Sequence, residues 1–277
     1  VTYLSVDKNG IISLDELKKS IRQDTLLISI MHANNEVGSL EPIEQAAKII
    51  ADINKTRKNK IYFHTDAVQT CGKIAVDVEA LGVDLLALSA HKFNGPKGIG
   101  ALYIKKGTAI SSVMFGGHHE NSMRPGTENL AYIVGLVKAL ELSVPNINSN
   151  LKKTKILKEK LADGIIKTIS GCSINAKFDL SIPYVLNASF NGIEGESLLL
   201  KLDMANIAVS TGSACASGSS DPSHVLSAMG IEPMSAQGAV RFSFGHHNTE
   251  EEIDYVLSVL PKIVGELRNM SPVYANK

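Results

Sequence analysis

At 277 residues, with 44% apolar and 20% charged side chains, the chain is long enough for one large domain or two ordinary ones and has the composition of a folded protein with a full core. Its 28 Lys and Arg balance 28 Asp and Glu, so it offers no basic face to nucleic acid or to anionic lipid. No unbroken apolar run reaches membrane-spanning length, nothing at the start reads as a signal peptide, and Cys71, Cys172 and Cys215 are odd in number without a CxxC pair. These features argue against a disulfide framework or a zinc cluster and suit a reducing compartment, the cytoplasm or an organelle matrix.

The first residues, "VTYLSV", already have a strand pattern, with no lead-in and no initiator Met, as an internal fragment would. "SLDELKKSI" then begins with a capping box, Ser13 with Glu16, and the strand-like "TLLISIMH" follows. "EPIEQAAKIIADI" places Pro42 at a helix start, "KIYFHTD" returns to strand, and the helix-like "DVEALG" leads to the nearly apolar strand "VDLLALSAHK". After the turn "NGPKG" comes another strand, "IGALYIKK". Such alternation predicts an α/β fold, a mostly parallel sheet with helices on both faces and ligands at the carboxyl ends of its strands. The long helix "TENLAYIVGLVKALELS" runs into "VPNINSN", the best boundary in the chain, which divides it into a large domain over 1–147 and a smaller α+β domain over 148–277. That second part predicts a helix over 151–169, the strand "VLNASF", the helix "EGESLLLKL", the short strand "IAVS", a loop of small residues at about 211–222, "AVRFSFG", and a last helix from about Thr249.

Polar residues terminate two strands of the first domain. "HTDAVQ" ends on Asp66 with Gln69 a turn later, and "SAHK" brings Ser89, His91 and Lys92 together. An Asp–Lys salt bridge would account for part of this. Pyridoxal phosphate accounts for more of it, because that cofactor takes a covalent lysine, a carboxylate for its pyridinium nitrogen, and hydroxyl and imidazole donors for its phosphate.

The segments "MHANNEVG", "HTDAVQTCGK", "SAHKFNGPKGIGALY", "RPGTEN", "STGSACASGSSDPSHVLSAMG" and "VRFSFG" together resemble the pyridoxal-phosphate-dependent cysteine desulfurases, in order and over essentially the whole chain. The extended loop around Cys215 resembles the long-loop group that supplies sulfur for iron–sulfur clusters. The resemblance implies fold type I of the pyridoxal-phosphate enzymes. It implies that Lys92 carries the cofactor, that Asp66 pairs with the pyridine nitrogen and Gln69 contacts the phenolic oxygen, and that Asn35 lies beside the cofactor and the substrate carboxylate. It further implies that Ser89 and His91 bind the phosphate and that Thr127 reaches the phosphate of a neighbouring subunit, hence a homodimer. Arg241 would hold the carboxylate of L-cysteine, a role that suits a planar bidentate donor. The family's phosphate-binding turn and stacking ring belong to an upstream segment with no counterpart in these residues, and His32 and His64 stand elsewhere in the motif order.

In the family reaction the loop cysteine, here Cys215, takes the substrate's sulfur as a persulfide, leaves alanine, and hands the sulfur to an acceptor such as an iron–sulfur scaffold protein. A loop of Gly, Ser and Ala suits a thiol that must travel. Residue types leave open a selenocysteine lyase, a sulfur carrier using Cys215 alone, and an inactive fragment that only binds partners. Cys71 and Cys172, in better-packed surroundings, read as structural. The pairs His118–His119 and His246–His247 have no accompanying metal-ligand motif, so no metal is expected.

Overall fold

The computed structural model describes residues 1–212 and 223–271; Cys215 lies outside them. The chain forms two compact units, one of residues 1–20, 33–42 and 148–277, the other of residues 21–32 and 43–147. Thus the opening residues and the "ANNEVGSLEP" stretch pack with the C-terminal part and not with the strands beside them in sequence.

The first helix, α1 (Leu14–Ser20), has Ser13 accepting from the Glu16 amide at 3.3 Å. The expected return bond of the box is diverted, because Glu16 Oε1 instead accepts from the Ser5 amide and hydroxyl at 3.1 and 3.3 Å. "VTYLSV" forms no strand, since only Val6 bridges to Ile12 and no neighbouring strand takes up its other polar groups.

In the unit of residues 21–32 and 43–147, β1 (Leu27–Met31), β2 (Tyr62–Asp66) and β3 (Leu85–Ser89) pair in parallel, and β4 (Gly100–Ile104) adds to β3 antiparallel. The connections are the helices α2 (Ile43–Asn54), between β1 and β2, and α3 (Val78–Leu81), between β2 and β3. Along α2 the buried residues Ile43, Ala46, Ala47 and Ile50 recur at three- and four-residue spacing, which is the apolar stripe that packs on a sheet. Asp77 caps α3 by accepting from the Glu79 and Ala80 amides. Burial alternates along β1 and β2, with Phe63 and Thr65 inside and Leu27 and Ser29 outside. At β1, therefore, only one face is covered among the described residues, where the sequence predicts helices on both.

The helix α4 (Leu130–Ser143) leads through a 3₁₀ turn at Val144–Asn146 directly into α5 (Ile147–Thr168). "VPNINSN", read as the domain boundary, is helical, because Pro145 falls in the first turn, where a missing N–H costs nothing. The stretch Leu130–Thr168 is long and apolar enough to cross a membrane by length and composition alone. Its apolar residues do not run unbroken, because Lys138, Glu141 and the lysines from Lys152 onward interrupt them.

In the other unit, β5 (Cys172–Asn175), β6 (Val185–Phe190) and β7 (Ala239–Ser243) form an antiparallel sheet. The helices α6 (Gly195–Met204), α7 (His224–Ala228), α8 (Pro233–Gln237) and α9 (Glu250–Met270) follow in the chain, with β7 between α8 and α9. Every residue of β6 is buried, and α6 packs against α9. Thr249 and Glu252 form a complete capping box at the start of α9. "IAVS" yields only one bridge, Ser210 to Arg241.

Two buried groups give this unit a pH signature. The Lys158 ammonium, 3% exposed, donates to Ser181 Oγ at 2.7 Å and to the Ile182 carbonyl at 3.0 Å, yet burial pulls its pKa from 10.5 down to about 8. Burial pushes the Glu41 carboxyl from 4.5 up to about 7, although the Ile12 amide donates to it at 3.1 Å. Between pH 8 and 10.5 the unfolded chain holds more protons on Lys158, so stability rises with pH there. Between pH 4.5 and 7 the folded chain holds more protons on Glu41, so stability falls as pH rises. These two groups therefore place a stability minimum near neutral pH. Lys158→Met is expected to flatten the alkaline limb and Glu41→Gln the acid limb, each by about 3 kcal/mol in urea denaturation followed across pH. Limbs that survive both substitutions would assign the titration to other groups.

Candidate active site

The parallel strands β2 and β3 are neighbours, with Asp66 opposite Ala87, so both carboxyl ends open on one edge of the sheet. Asp66 closes β2, and its Oδ1 accepts from the Val68 amide at 2.8 Å, which turns the chain sharply after the strand. Among the described residues no group donates to Asp66 Oδ2. His32 braces this turn from β1. Its amide donates to the Asp66 carbonyl at 2.8 Å, and its Nδ1 lies 3.0 Å from the Thr70 hydroxyl. Burial holds the His32 imidazole below its ordinary pKa, which favours the neutral ring. Gln69 is half-buried in the same turn.

β3 ends at Ser89 and passes into a 3₁₀ turn, Ala90–Phe93. Residues three apart share a face of such a turn. Ala90 and Phe93 are buried against Cys71, Leu136 and Ala139, so His91 and Lys92 are turned away from that cluster. Gly72 makes room for this seat, since at φ +73° a Cβ there would lie 2.8 Å from Phe93 Cβ. Ser89 Oγ and His91 Nδ1 are 2.8 Å apart, in a hydrogen bond whose direction follows the imidazole tautomer. Lys92 is half-buried and makes no hydrogen bond or ion pair among the described residues. Thr127 is exposed on the "RPGTEN" turn, which Arg124 closes by donating to the Gly126 carbonyl at 3.1 Å.

These groups fit pyridoxal phosphate by donor chemistry. A carboxylate with an open oxygen ends one strand, and an unpaired amine ends its neighbour beside a linked hydroxyl and imidazole. They would supply the pyridinium partner, the covalent amine and the phosphate donors respectively.

The remaining predicted residues lie in the other unit. Arg241, on β7, donates from one terminal nitrogen to the Asn35 carbonyl at 2.9 Å, and its Nε is buried with no partner among the described residues. Burial pulls its pKa down and the charge of Glu36 works against that. A guanidinium with an idle buried N–H is poised to take a carboxylate. Glu36 is absent from the candidates read off the sequence. Only its position inside "NNEVG", next to Asn35, pointed toward it.

Cys71 is buried and its thiol is pushed up by burial, while Cys172 Sγ donates to the Ile169 carbonyl at 2.9 Å. Neither has the surroundings of a thiolate nucleophile. His118 Nδ1 bonds Ser122 Oγ at 3.1 Å, and His246 and His247 lie ring against ring, 3.8 Å between centroids.

The aminotransferase class-V family model matches residues 1–256. A cysteine desulfurase IscS of Dictyoglomus turgidum is 48% identical over 272 residues, 98% of this chain and 68% of that protein. One from Clostridium botulinum is 49% identical over 276 residues, 99% of this chain and 68% of that protein. Among solved structures, a NifS-like protein superposes with a TM-score of 0.88 at 41% identity, covering 96% of this chain and 68% of the other. SspA in complex with cysteine superposes at 0.73 and 33% identity, covering 90% and 67%. Each solved structure matches through both units, so the fold is that of the type I pyridoxal-phosphate enzymes. Identity near one half along almost the whole chain, with the two strand ends chemically suited to pyridoxal phosphate, leaves one assignment: the chain belongs to the class-V aminotransferase family, among its pyridoxal-phosphate-dependent cysteine desulfurases.

Proposed function

We propose that the chain removes sulfur from L-cysteine, leaving L-alanine and a persulfide on Cys215, as one half of a homodimer that feeds an acceptor such as an iron–sulfur scaffold protein. The observation that carries this reading is the open Lys92 amine beside the linked Ser89–His91 pair at the end of β3. When bound, pyridoxal phosphate supplies an electron sink for the carbon skeleton of the amino acid. Lys92 would hold the cofactor and then take the Cα proton of the substrate. Asp66 would keep the pyridine nitrogen protonated, Gln69 would face the phenolic oxygen, and Ser89 with His91 would hold the phosphate, joined by Thr127 from the neighbouring subunit.

Arg241 and Asn35 would orient the substrate carboxylate so that its sulfur faces the incoming thiolate of Cys215. The new bond is S–S, the bond that breaks is Cβ–S, and alanine forms after proton uptake at carbon. The test is incubation of the cofactor-loaded chain with L-cysteine, followed by alanine analysis and intact-mass measurement. Equal production of alanine and of one added sulfur per chain is expected, and alanine without protein-bound sulfur would remove Cys215 from the scheme.

Arg241→Lys tests the clamp. Lysine offers a point charge in place of a planar fork and cannot reach both the Asn35 carbonyl and a bidentate carboxylate. The KM for L-cysteine is expected to rise about 10- to 100-fold, with a smaller change in kcat. An unchanged KM would place the carboxylate elsewhere.

A further inference from the structure

Glu36 is 1% exposed, and a carboxylate that deep needs donors and a counter-charge. Its backbone is fixed on both sides. The Asn34 side chain accepts from the Glu36 amide at 2.8 Å, and Asn187 Nδ2 donates to the Glu36 carbonyl at 3.2 Å. Its carboxylate accepts from the Ser223 hydroxyl at 2.5 Å, the only donor it has among the described residues. Ser223 is also the N-cap of α7, accepting from the Val225 and Leu226 amides at 3.2 and 3.4 Å. The same oxygen, Oε2, is the atom nearest to the space a Cβ would fill at Gly212, 3.5 Å from it. Gly212 and Ser223 are the residues on either side of 213–222, the part of the sequence that holds Cys215.

The same carboxylate opposes the burial of the Arg241 guanidinium, without any direct ion pair between the two. Arg241 is in turn tied back to this region, exchanging two backbone hydrogen bonds with Ser210 at 3.1 and 2.7 Å. Glu36 thus adjoins Asn35, whose carbonyl accepts from Arg241 at 2.9 Å, and its carboxylate bonds Ser223 on one flank of the cysteine-bearing segment, 187 residues away in sequence.

We propose that Glu36 is a positioning residue with two separable duties: its charge keeps Arg241 turned inward to receive a carboxylate, and its oxygen ties Ser223, hence the start of α7, to the same framework. The first duty rests on the desulfurase reading, and the second does not. Two conservative substitutions separate them. Glu36→Gln keeps an acceptor for Ser223 and loses the charge. Glu36→Asp keeps the charge and withdraws the oxygen by one methylene.

The experiment measures steady-state kinetics on the cofactor-loaded protein and amide hydrogen exchange on the cofactor-free protein, for both variants. Glu36→Gln is expected to raise the KM for L-cysteine about tenfold with kcat little changed, and to leave exchange at Val225 and Leu226 near wild type. Glu36→Asp is expected to speed exchange at those two amides about tenfold, with KM near wild type and exchange in α9 unaltered. An unchanged or lowered KM in Glu36→Gln overturns the first duty, and unchanged exchange in Glu36→Asp overturns the second. If one variant fails to fold, the other still decides its own duty. A wild-type protein that turns over no L-cysteine overturns the desulfurase reading and the Arg241 duty with it, while the exchange measurement still decides the Ser223 duty.

Discussion

Lys92→Ala is expected to lower L-cysteine turnover by about 10³-fold or more, because one side chain serves as both covalent anchor and proton carrier. The fold should tolerate the change. Within the Ala90–Phe93 turn the packing belongs to Ala90 and Phe93, at 0% and 2% exposure, and Lys92 has no partner to lose among the described residues. Stability is therefore expected to stay within about 0.5 kcal/mol of wild type. The direct measurement is an absorbance spectrum with added pyridoxal phosphate, followed by borohydride reduction and mass analysis. The wild type should show a visible band that reduction converts to a covalent adduct on Lys92, and the variant should show no such adduct. An adduct that persists in Lys92→Ala would move the anchor to another amine. A wild-type chain without any Lys92-dependent band would mean that these 277 residues do not assemble the site by themselves.

The second large effect is expected from Cys215→Ser. A serine hydroxyl is not ionised at neutral pH and is a far poorer nucleophile toward sulfur than a thiolate. Persulfide formation should vanish and alanine production should fall by about 10²-fold or more, while the visible spectrum and its response to L-cysteine persist. The other two cysteines serve as controls. Cys71 sits in the apolar cluster with Phe93 and Leu136, and burial raises its pKa. For Cys172 burial also raises the pKa, although Arg268 partly offsets it. Neither is expected to replace Cys215. If Cys215→Ser makes alanine at the wild-type rate, sulfur leaves by a route that needs no protein thiol.

Much of the architecture is legible because strand and helix periodicities are local. The runs that form β2 and β3 are apolar and end on polar residues, so the pattern alone puts Asp66, Ser89, His91 and Lys92 at strand ends. Pattern and fold part company where a local signal lacks its partner or acquires another one. "VTYLSV" alternates like a strand but has nothing to pair with beyond one bridge. Glu16 has the spacing of a capping-box residue, but Ser5 takes its carboxylate.

By itself, then, the sequence determined the class of fold and placed groups suited to the cofactor at two strand ends, because both depend on residue type and short-range spacing, while Cys215 as the candidate nucleophile came from the resemblance of its loop to the cysteine desulfurases. Tertiary structure alone decided which distant residues share a unit and how buried charges are balanced. Residues 33–42 join 148–277, and within that unit Glu36 meets Ser223 and offsets the burial of Arg241. Nothing in the neighbourhood of a glutamate along the chain states that it will be desolvated or which hydroxyl will satisfy it. Those facts arise only when the packed unit excludes water and obliges every charge inside it to find a partner.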